Sequence, residues 1–391
     1  TSSYSMGGRW SPFEAAADEE PQVIAALEAL GYVDGYDHAT KVGGVLHHNP
    51  AEAHSGLNLF ISGHAQEALL LDMEGKVRHR WVADPASILP ELSIPPEFAR
   101  RGYFRRGWAL GDGGFLGILE GIALVRLDRD SKPLWVFEGG SHHDAALQKD
   151  GSIYVLTRTP RYRLPKPKLY PYLRDTITHL SAEGEVLEVF DLHQAVKDSA
   201  LGEALRESPF PKDPLHTNTL ELIDAELARS HPEVEVGQLL VSFRSISALA
   251  IFDCETESLV WVREGSFRYQ HQPTSGKDGS LLLFDNQVAE VNSRVLSLRL
   301  DSSEEEVIYG GLEGQALKSP RWGSVQRLGN GNVLISESER GRAREVTPDG
   351  EVVWSYLNPH RAGANNELIA TLIEMVRLPS DYGQGWLDVD E

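Results

Sequence analysis

"HHDAALQKDGSIYVLTR" at residues 142–158 and "QHQPTSGKDGSLLLFDN" at residues 270–286 are built alike. A histidine, His143 or His271, stands eight residues before a glycine, Gly151 or Gly279, and the glycine opens a short apolar strand. Anchoring on that glycine extends the pattern along the chain. Gly56, Gly113, Gly151, Gly237, Gly279 and Gly331 precede "LNLFIS", "GFLGIL", "SIYVLT", "QLLVSF", "SLLLFD" and "NVLISE". Seven residues beyond each anchor stand Gly63, Glu120, Arg158, Arg244, Asn286 and Ser338. A second apolar strand follows each time, then a turn, often with glycine. A third strand ends on Trp81, Trp135, Phe190, Trp261, Ile308 or Trp354.

Strand–turn–strand–turn–strand units recurring about every 40–55 residues fall in the range of propeller blades. The expected fold is therefore all-β, a six-bladed β-propeller over residues 46–360, with each blade buried only against its neighbours. Short terminal segments are expected to flank it: a helical or extended one over 1–45 and a helical one over 361–391 that packs on the ring. The helices are read from "EEPQVIAALEALGYVDGY" and "NNELIATLIEMVRLP", whose apolar spacing suits one buried helix face. Blade 3 is lengthened by "YRLPKPKLYPY" and the helical-looking "HQAVKDSALGEALRE", and blade 4 by "LIDAELARSHPEVEV". Long insertions of this kind form the rims of sites.

With 37 Lys and Arg against 58 Asp and Glu, the 391-residue chain carries a net charge of −21. Such a surface repels phosphate backbones, so nucleic acid is not an expected partner. No apolar run reaches the roughly 18 residues that span a bilayer. Cys254 is the only cysteine, which rules out an intrachain disulfide and leaves the redox compartment open; its setting reads as an inert strand end. The chain begins Thr-Ser-Ser without an initiator methionine, consistent with a removed targeting segment.

In a propeller the first strand of each blade lies beside the central channel, and the residue before it stands at a channel mouth. Consecutive blades place His143, His216 and His271 there; blade 2 places Arg106, and blade 6 places Arg321 slightly earlier. Arg244 joins them from a strand end. Asp144 and Asn218 are candidates to fix an imidazole tautomer or touch a ligand, against the plainer role of capping a turn. A histidine before a strand is ordinarily a turn or core residue, and that reading suffices for His47, His48 and His360. A purely structural role would favour the same residue in every blade, whereas blades 1 and 6 have no histidine there. The Asp-Asn pair at 285–286 reads as an ordinary strand end. Tyr170 and Tyr172, in the blade 3 insertion, are weaker candidates to meet an aromatic ligand.

These motifs, together with "LHTNTL", "GQLLVSFRSISALAIFD" and "RLGNGNVLISESERGRAREVTPDGEVVWSY", resemble those of the arylsulfotransferase family across nearly the whole ring. That family has a six-bladed propeller and moves a sulfuryl group from a phenolic sulfate to another phenol, without a nucleotide sulfate donor or another cofactor. The resemblance implies that His271 is the nucleophile, transiently sulfated. It implies that His143, His216 and Arg244 surround the sulfuryl oxygens, and that Asn218 matches the Asn of a His-x-Asn motif. It also implies aryl sulfate and phenol as small-molecule partners and a periplasmic or extracytoplasmic location. The best-characterised members carry an N-terminal β-sandwich and a disulfide near the site, so this chain resembles a divergent branch without the sandwich. Two other readings of the same residues stand beside this one. In the first, His143, His216 and His271 hold a metal for lyase or oxygenase chemistry. In the second, the propeller is a binding module for a small anionic ligand.

Overall fold

The recurring glycine has a conformational cause. In the computed structural model Gly113, Gly151, Gly237, Gly279 and Gly331 have φ between 72° and 92°, and Gly56 has 152°. A Cβ is disfavoured there, so the position selects glycine. At Gly151 the turn is closed by two backbone bonds, Gly151 N–H to the Gln148 carbonyl and Gln148 N–H to the Ser152 carbonyl. The same pair recurs at 110–114, 276–280 and 328–332. The described residues are 37–84, 88–89, 103–163, 170–276, 279–287, 291–310, 314, 316–363 and 365–387. The N-terminal helix expected before residue 37 lies outside them.

These turns join the glycine-led strand to a further strand on its N-terminal side, and the strand after Gly56 takes its further strand from residues 372–377, so the units have four antiparallel strands rather than the three expected. One sheet runs Thr217–Leu222, Leu239–Phe243, Ala248–Asp253, Ser258–Glu264, and the next His271–Ser275, Ser280–Asp285, Arg294–Arg299, Glu305–Tyr309. Another runs Ser324–Arg327, Val333–Glu337, Arg342–Val346, Val352–Leu357, with Gly44–His48 added at its outer edge. A seven-stranded sheet covers Phe104–Ala109 to Val186–Asp191, continuous because one 15-residue strand, Pro133–Leu147, pairs with the strand before it and the strand after it. The innermost strands touch in cyclic order: Phe104–Ala109, Pro133–Leu147, Thr217–Leu222, His271–Ser275, Ser324–Arg327, Leu372–Arg377, then Phe104–Ala109 again. The protein is thus a propeller-like ring of sheets. Short helices, Leu192–Lys197, Gly202–Arg206 and Ala225–Ala228, fall in the two lengthened regions.

The outer-strand tryptophans stitch neighbouring units of the repeat together. Trp81 Nε1 donates to the Gly113 carbonyl at 2.9 Å, Trp135 to Ala182 at 3.0 Å, Trp261 to Leu300 at 3.2 Å and Trp354 to Met73 at 2.9 Å. Trp81, Trp261 and Trp354 are buried and Trp135 is half-buried, and each spends its one donor on the next unit of the repeat. The Trp354 bond joins the last sheet to the first.

Residues 361–391 depart from expectation. Within the described part, Leu372–Arg377 is a strand hydrogen-bonded to Asn58–Ser62, and Arg361–Ala362 and Leu368–Ile369 form a two-stranded ribbon. "LIATLIEMVRL" carries apolar residues at helical spacing, but a strand buried on both faces has no need to alternate, and periodicity alone does not separate the two. The ring supplies the missing constraint: the first sheet needs an inner strand, and the chain end provides it.

A buried ion pair locks that closure. Arg377 Nη1 lies 3.1 Å from Glu345 Oε2, both side chains fully buried, and Arg377 Nε donates to Asn58 Oδ1 at 2.8 Å. Glu345 Oε1 accepts from His54 N–H and Asn332 Nδ2, both at 2.7 Å. Glu345→Ala leaves the guanidinium and two donors without their partner, so we expect a loss of about 3–5 kcal/mol in unfolding free energy, measured by urea denaturation.

Candidate active site

The histidines gather where the innermost strands lose their regular register. In Phe104–Ala109 the pairing slips between Phe104 and Arg106, in Pro133–Leu147 between Ser141 and Ala145, in Thr217–Leu222 between Thr217 and Thr219, and in His271–Ser275 between His271 and Thr274. A bulge re-aims the side chain it carries. Here the bulged residues include Arg105, His142, His143 and Asn218. His143, His216, Tyr269 and Gln272 also have φ between 45° and 54°, costly for residues with a Cβ, and such strain concentrates at functional sites.

His271 is 4% exposed. Its Nδ1 lies 2.7 Å from Asn286 Oδ1 and 3.0 Å from the Tyr269 carbonyl. The Asn286 amide is oriented by its own Nδ2, which donates to the carbonyls of Ser319 at 2.6 Å and Trp322 at 2.9 Å. Both Nδ1 partners are therefore acceptors, so Nδ1 bears the proton and Nε2 the lone pair. Burial, together with the charges of Arg244 and Arg105, holds His271 well below the usual imidazole range, against the Asn286 bond that raises it.

Around it the other groups interlock. The rings of His143 and His216 meet edge to face, centroids 4.8 Å apart. His216 Nδ1 is 2.5 Å from Asp213 Oδ2, and His142 Nδ1 is 2.9 Å from His143 Nδ1. Burial pushes Asp213 up, but the charge and hydrogen bond of His216, with Arg158, bring it below the ordinary carboxylate range. Its neighbour Asp175, buried beside it, is pushed up to about 7 and accepts from Thr217 N–H and Oγ1 at 2.8 and 2.7 Å. Glu120 accepts from Arg158 Nη2 at 3.0 Å and lies 3.8 Å from Arg105 Nε. His143 is held well below the usual range by burial, Arg105 and His216.

The remaining candidates divide. Arg244 stands over the rings of Tyr269 and Phe210, 5.0 and 5.6 Å from their centroids, and acts electrostatically on His271. Asn218 does not fix an imidazole; its Nδ2 donates to the Gln270 carbonyl at 2.7 Å and so braces the residue before His271. Asp144 serves the scaffold, accepting from Leu220 N–H at 3.0 Å and pairing with Arg106 Nε at 2.8 Å. Arg106 points to Asp144 and Glu374, and Arg105, its bulged neighbour, takes the place beside the histidines, with its guanidinium 4.3 Å from the centre of the Trp322 ring. Arg321 pairs with Glu339 at 3.7 Å, its side chain 36% exposed. Tyr172 packs against His193. Sequence reasoning passed over Arg105 and Asn286. Asn286 occupies the position seven beyond the anchoring glycine, which also supplies Glu120, Arg158 and Arg244; that shared position was the available signal.

A cavity beside His271 is lined by Arg105, Asn218, Gln272, Trp322, Ser324 and Glu374. A wider groove of about 650 Å³, lined by Trp261, Arg263 and Glu305, gathers no histidine, and the chemistry of the side chains places the site at the former. Among the described residues, the ligand atoms that approach one another most like a metal set in this region are those of Glu120, His142 and His143, not of His143, His216 and His271. Arg158 and Arg105 already neutralise Glu120, which disfavours a cation there.

Known proteins offer a family and distant folds. No curated protein matches the chain significantly. Among solved structures it is similar to a protein of unknown function from Bacteroides caccae (13% identity, 81% of this chain and 97% of that one covered, TM-score 0.47). It is also similar to a streptogramin B lyase (12%, 83% and 87%, TM-score 0.46) and to the WD40 β-propeller domain of Doa1 (10%, 80% and 77%, TM-score 0.43). The family model described as "Arylsulfotransferase (ASST)" matches residues 123–359, more than half of the chain and a span that contains His143, His216, Arg244, His271 and Asn286. The chain belongs to the arylsulfotransferase family.

Proposed function

We propose that this protein transfers a sulfuryl group from an aryl sulfate to a phenol through a sulfo-histidine on His271, at the mouth of a six-bladed ring whose blades are headed by the six innermost strands. The observation that carries the reading is the fixed tautomer of His271, whose Nε2 lone pair stands among arginines.

In the first displacement Nε2 attacks sulfur, an N–S bond forms and the S–O(aryl) bond breaks, and the electron pair leaves with the phenolate. Arg105 and Arg244 stabilise the charge on the sulfuryl oxygens and the leaving oxygen. The product is a sulfo-imidazolium, because Nδ1 keeps its proton. Its partners, an amide and a backbone carbonyl, are neutral, so they orient the ring without neutralising it, and the cationic ring remains a good leaving group. In the second displacement the acceptor phenol attacks sulfur and His271 Nε2 departs with its electron pair. We assign the phenol's proton to Nε2 of His216, whose Nδ1 is held on Asp213. Phe210 and Tyr269, edge to face at 5.9 Å beneath Arg244, form an aromatic wall suited to an aryl ring.

Because both half-reactions use one nitrogen, the donor's phenol must leave before the acceptor reacts. Steady-state rates with varied p-nitrophenyl sulfate at several phenol concentrations are expected to give parallel double-reciprocal lines. Intersecting lines would mean direct transfer in a ternary complex and would refute the covalent reading.

A further inference from the structure

A second cluster of ligand-type side chains lies at the seam where the first and last sheets meet. His64 follows the strand Asn58–Ser62, Glu67 opens the strand Glu67–Leu71, and His360 follows the strand Val352–Leu357. One ligand atom from each lies within 4.8 Å of the others. We propose that His64, Glu67 and His360 form a binding site for a divalent transition-metal ion, Zn²⁺ being the best match, that clips the ring closed.

The chemistry of the set comes first. Two imidazoles and a carboxylate are a donor combination typical of zinc sites with one open position, which a water fills. His64 Nε2 stands 2.9 Å from Glu67 Oε1. Two ligands on a tetrahedral ion at bond lengths of about 2.1 Å are separated by roughly 3.4 Å, so an ion that displaces the proton between these atoms requires only a small relaxation. The His64 and His360 rings are stacked, centroids 3.4 Å apart and planes within 10°, so the second imidazole is delivered to the first from the other end of the ring, and one ring must tilt out of the stack for both lone pairs to meet one ion. His64 Nδ1 is buried with no hydrogen-bond partner, an unusual state for an imidazole nitrogen in a structural hydrogen-bonded pair.

Preorganisation comes next. Gly63 N–H donates to the Thr371 carbonyl and Ala370 N–H to the His360 carbonyl, at 2.9 and 3.0 Å, so both ligand-bearing loops are fixed to the same closing segment. Asn358 Nδ2 bridges Ser62 Oγ and the Ala370 carbonyl, each at 2.8 Å, and its Oδ1 accepts from His360 N–H at 3.0 Å. Phe60 lies under both imidazoles, its centroid 6.3 Å from His64 and 5.9 Å from His360. Arg80 Nε, 3.3 Å from Glu67 Oε2, holds the oxygen the ion does not need, as an outer partner orients a metal carboxylate. The cluster shares no residue with the His271 site, so the proposal is independent of the sulfuryl-transfer reading.

The test is titration of chelator-treated full-length protein with Zn²⁺ by calorimetry, and with Co²⁺ by visible absorption, alongside His64→Ala, His360→Ala, Glu67→Gln and His143→Ala. The expected result is one equivalent bound, a rise in thermal midpoint with Zn²⁺, and a tetrahedral Co²⁺ spectrum. Affinity should fall by about 100-fold or more in each of the three cluster variants and remain unchanged in His143→Ala. Glu67→Gln keeps the shape of the side chain and guards against loss through misfolding, checked by circular dichroism. Three outcomes would overturn the proposal: absence of binding to the wild type, binding that persists in Glu67→Gln and His360→Ala, or binding abolished by His143→Ala.

Discussion

Replacing His271 with alanine is expected to lower sulfuryl transfer by about 10⁴-fold or more, the scale seen when a covalent nucleophile is removed from its supporting machinery. The substitution deletes the only imidazole of the group whose Nδ1 proton is held by two neutral acceptors. His216 does not replace it, because the Asp213 carboxylate on its Nδ1 would neutralise a sulfo-imidazolium and make the ring a poorer leaving group, and His143 is occupied with His142 and Glu120. What survives is binding and charge stabilisation by Arg105 and Arg244, so the donor's affinity should change far less than kcat. Release of p-nitrophenol from p-nitrophenyl sulfate measures both. A variant that retained a tenth of the wild-type kcat would remove His271 from the nucleophile's role.

Asn286→Ala is the second large effect. The amide is the piece that tells the His271 ring which nitrogen carries the proton, and losing a tautomer-fixing partner elsewhere has cost up to about 10⁴-fold; here the Tyr269 carbonyl remains, so about 10²–10³-fold in kcat is expected. A positioning role is separated from simple damage by pH. The Asn286 bond raises the His271 pKa, while burial, Arg244 and Arg105 hold it well below the usual range. Wild-type donor cleavage should therefore lose rate to His271 protonation only well below pH 6.5. In Asn286→Ala the limb should move further towards acid as kcat falls. Asn286→Asp puts a carboxylate on Nδ1 and should move it the other way, towards neutral, while slowing the second displacement because the imidazolium is stabilised. Variants whose acid limb does not move would leave Asn286 a merely structural residue.

Much of this was legible in the chain because the repeat has local physical causes. The anchoring glycines recur because the turn demands positive φ, and the outer tryptophans because each reaches the next unit of the repeat. Counting from the glycines brought His143, Arg244 and His271 to one place, and position in blade 4 added His216. Counting failed where the backbone is irregular. Arg106 sits at the expected position, but the bulge between Phe104 and Arg106 hands the site to Arg105. Asn286 reads as a polar strand end, since nothing local tells a hydrogen bond to a side chain fifteen residues earlier from one to solvent. His360 reads as unremarkable because its partners, His64 and Glu67, are at the opposite end of the ring's sequence. The closing strand Leu372–Arg377 reads as a helix because its apolar residues fit both periods, and only ring closure decides between them.

The most direct measurement is intact-protein and peptide mass spectrometry of wild type mixed with p-nitrophenyl sulfate in the absence of phenol, quenched within the first turnover. The account predicts one added sulfuryl group per chain, carried on the peptide that contains His271, lost on addition of phenol and absent from His271→Ala. A sulfuryl group found on any other side chain, or turnover without any labelled protein, would contradict it.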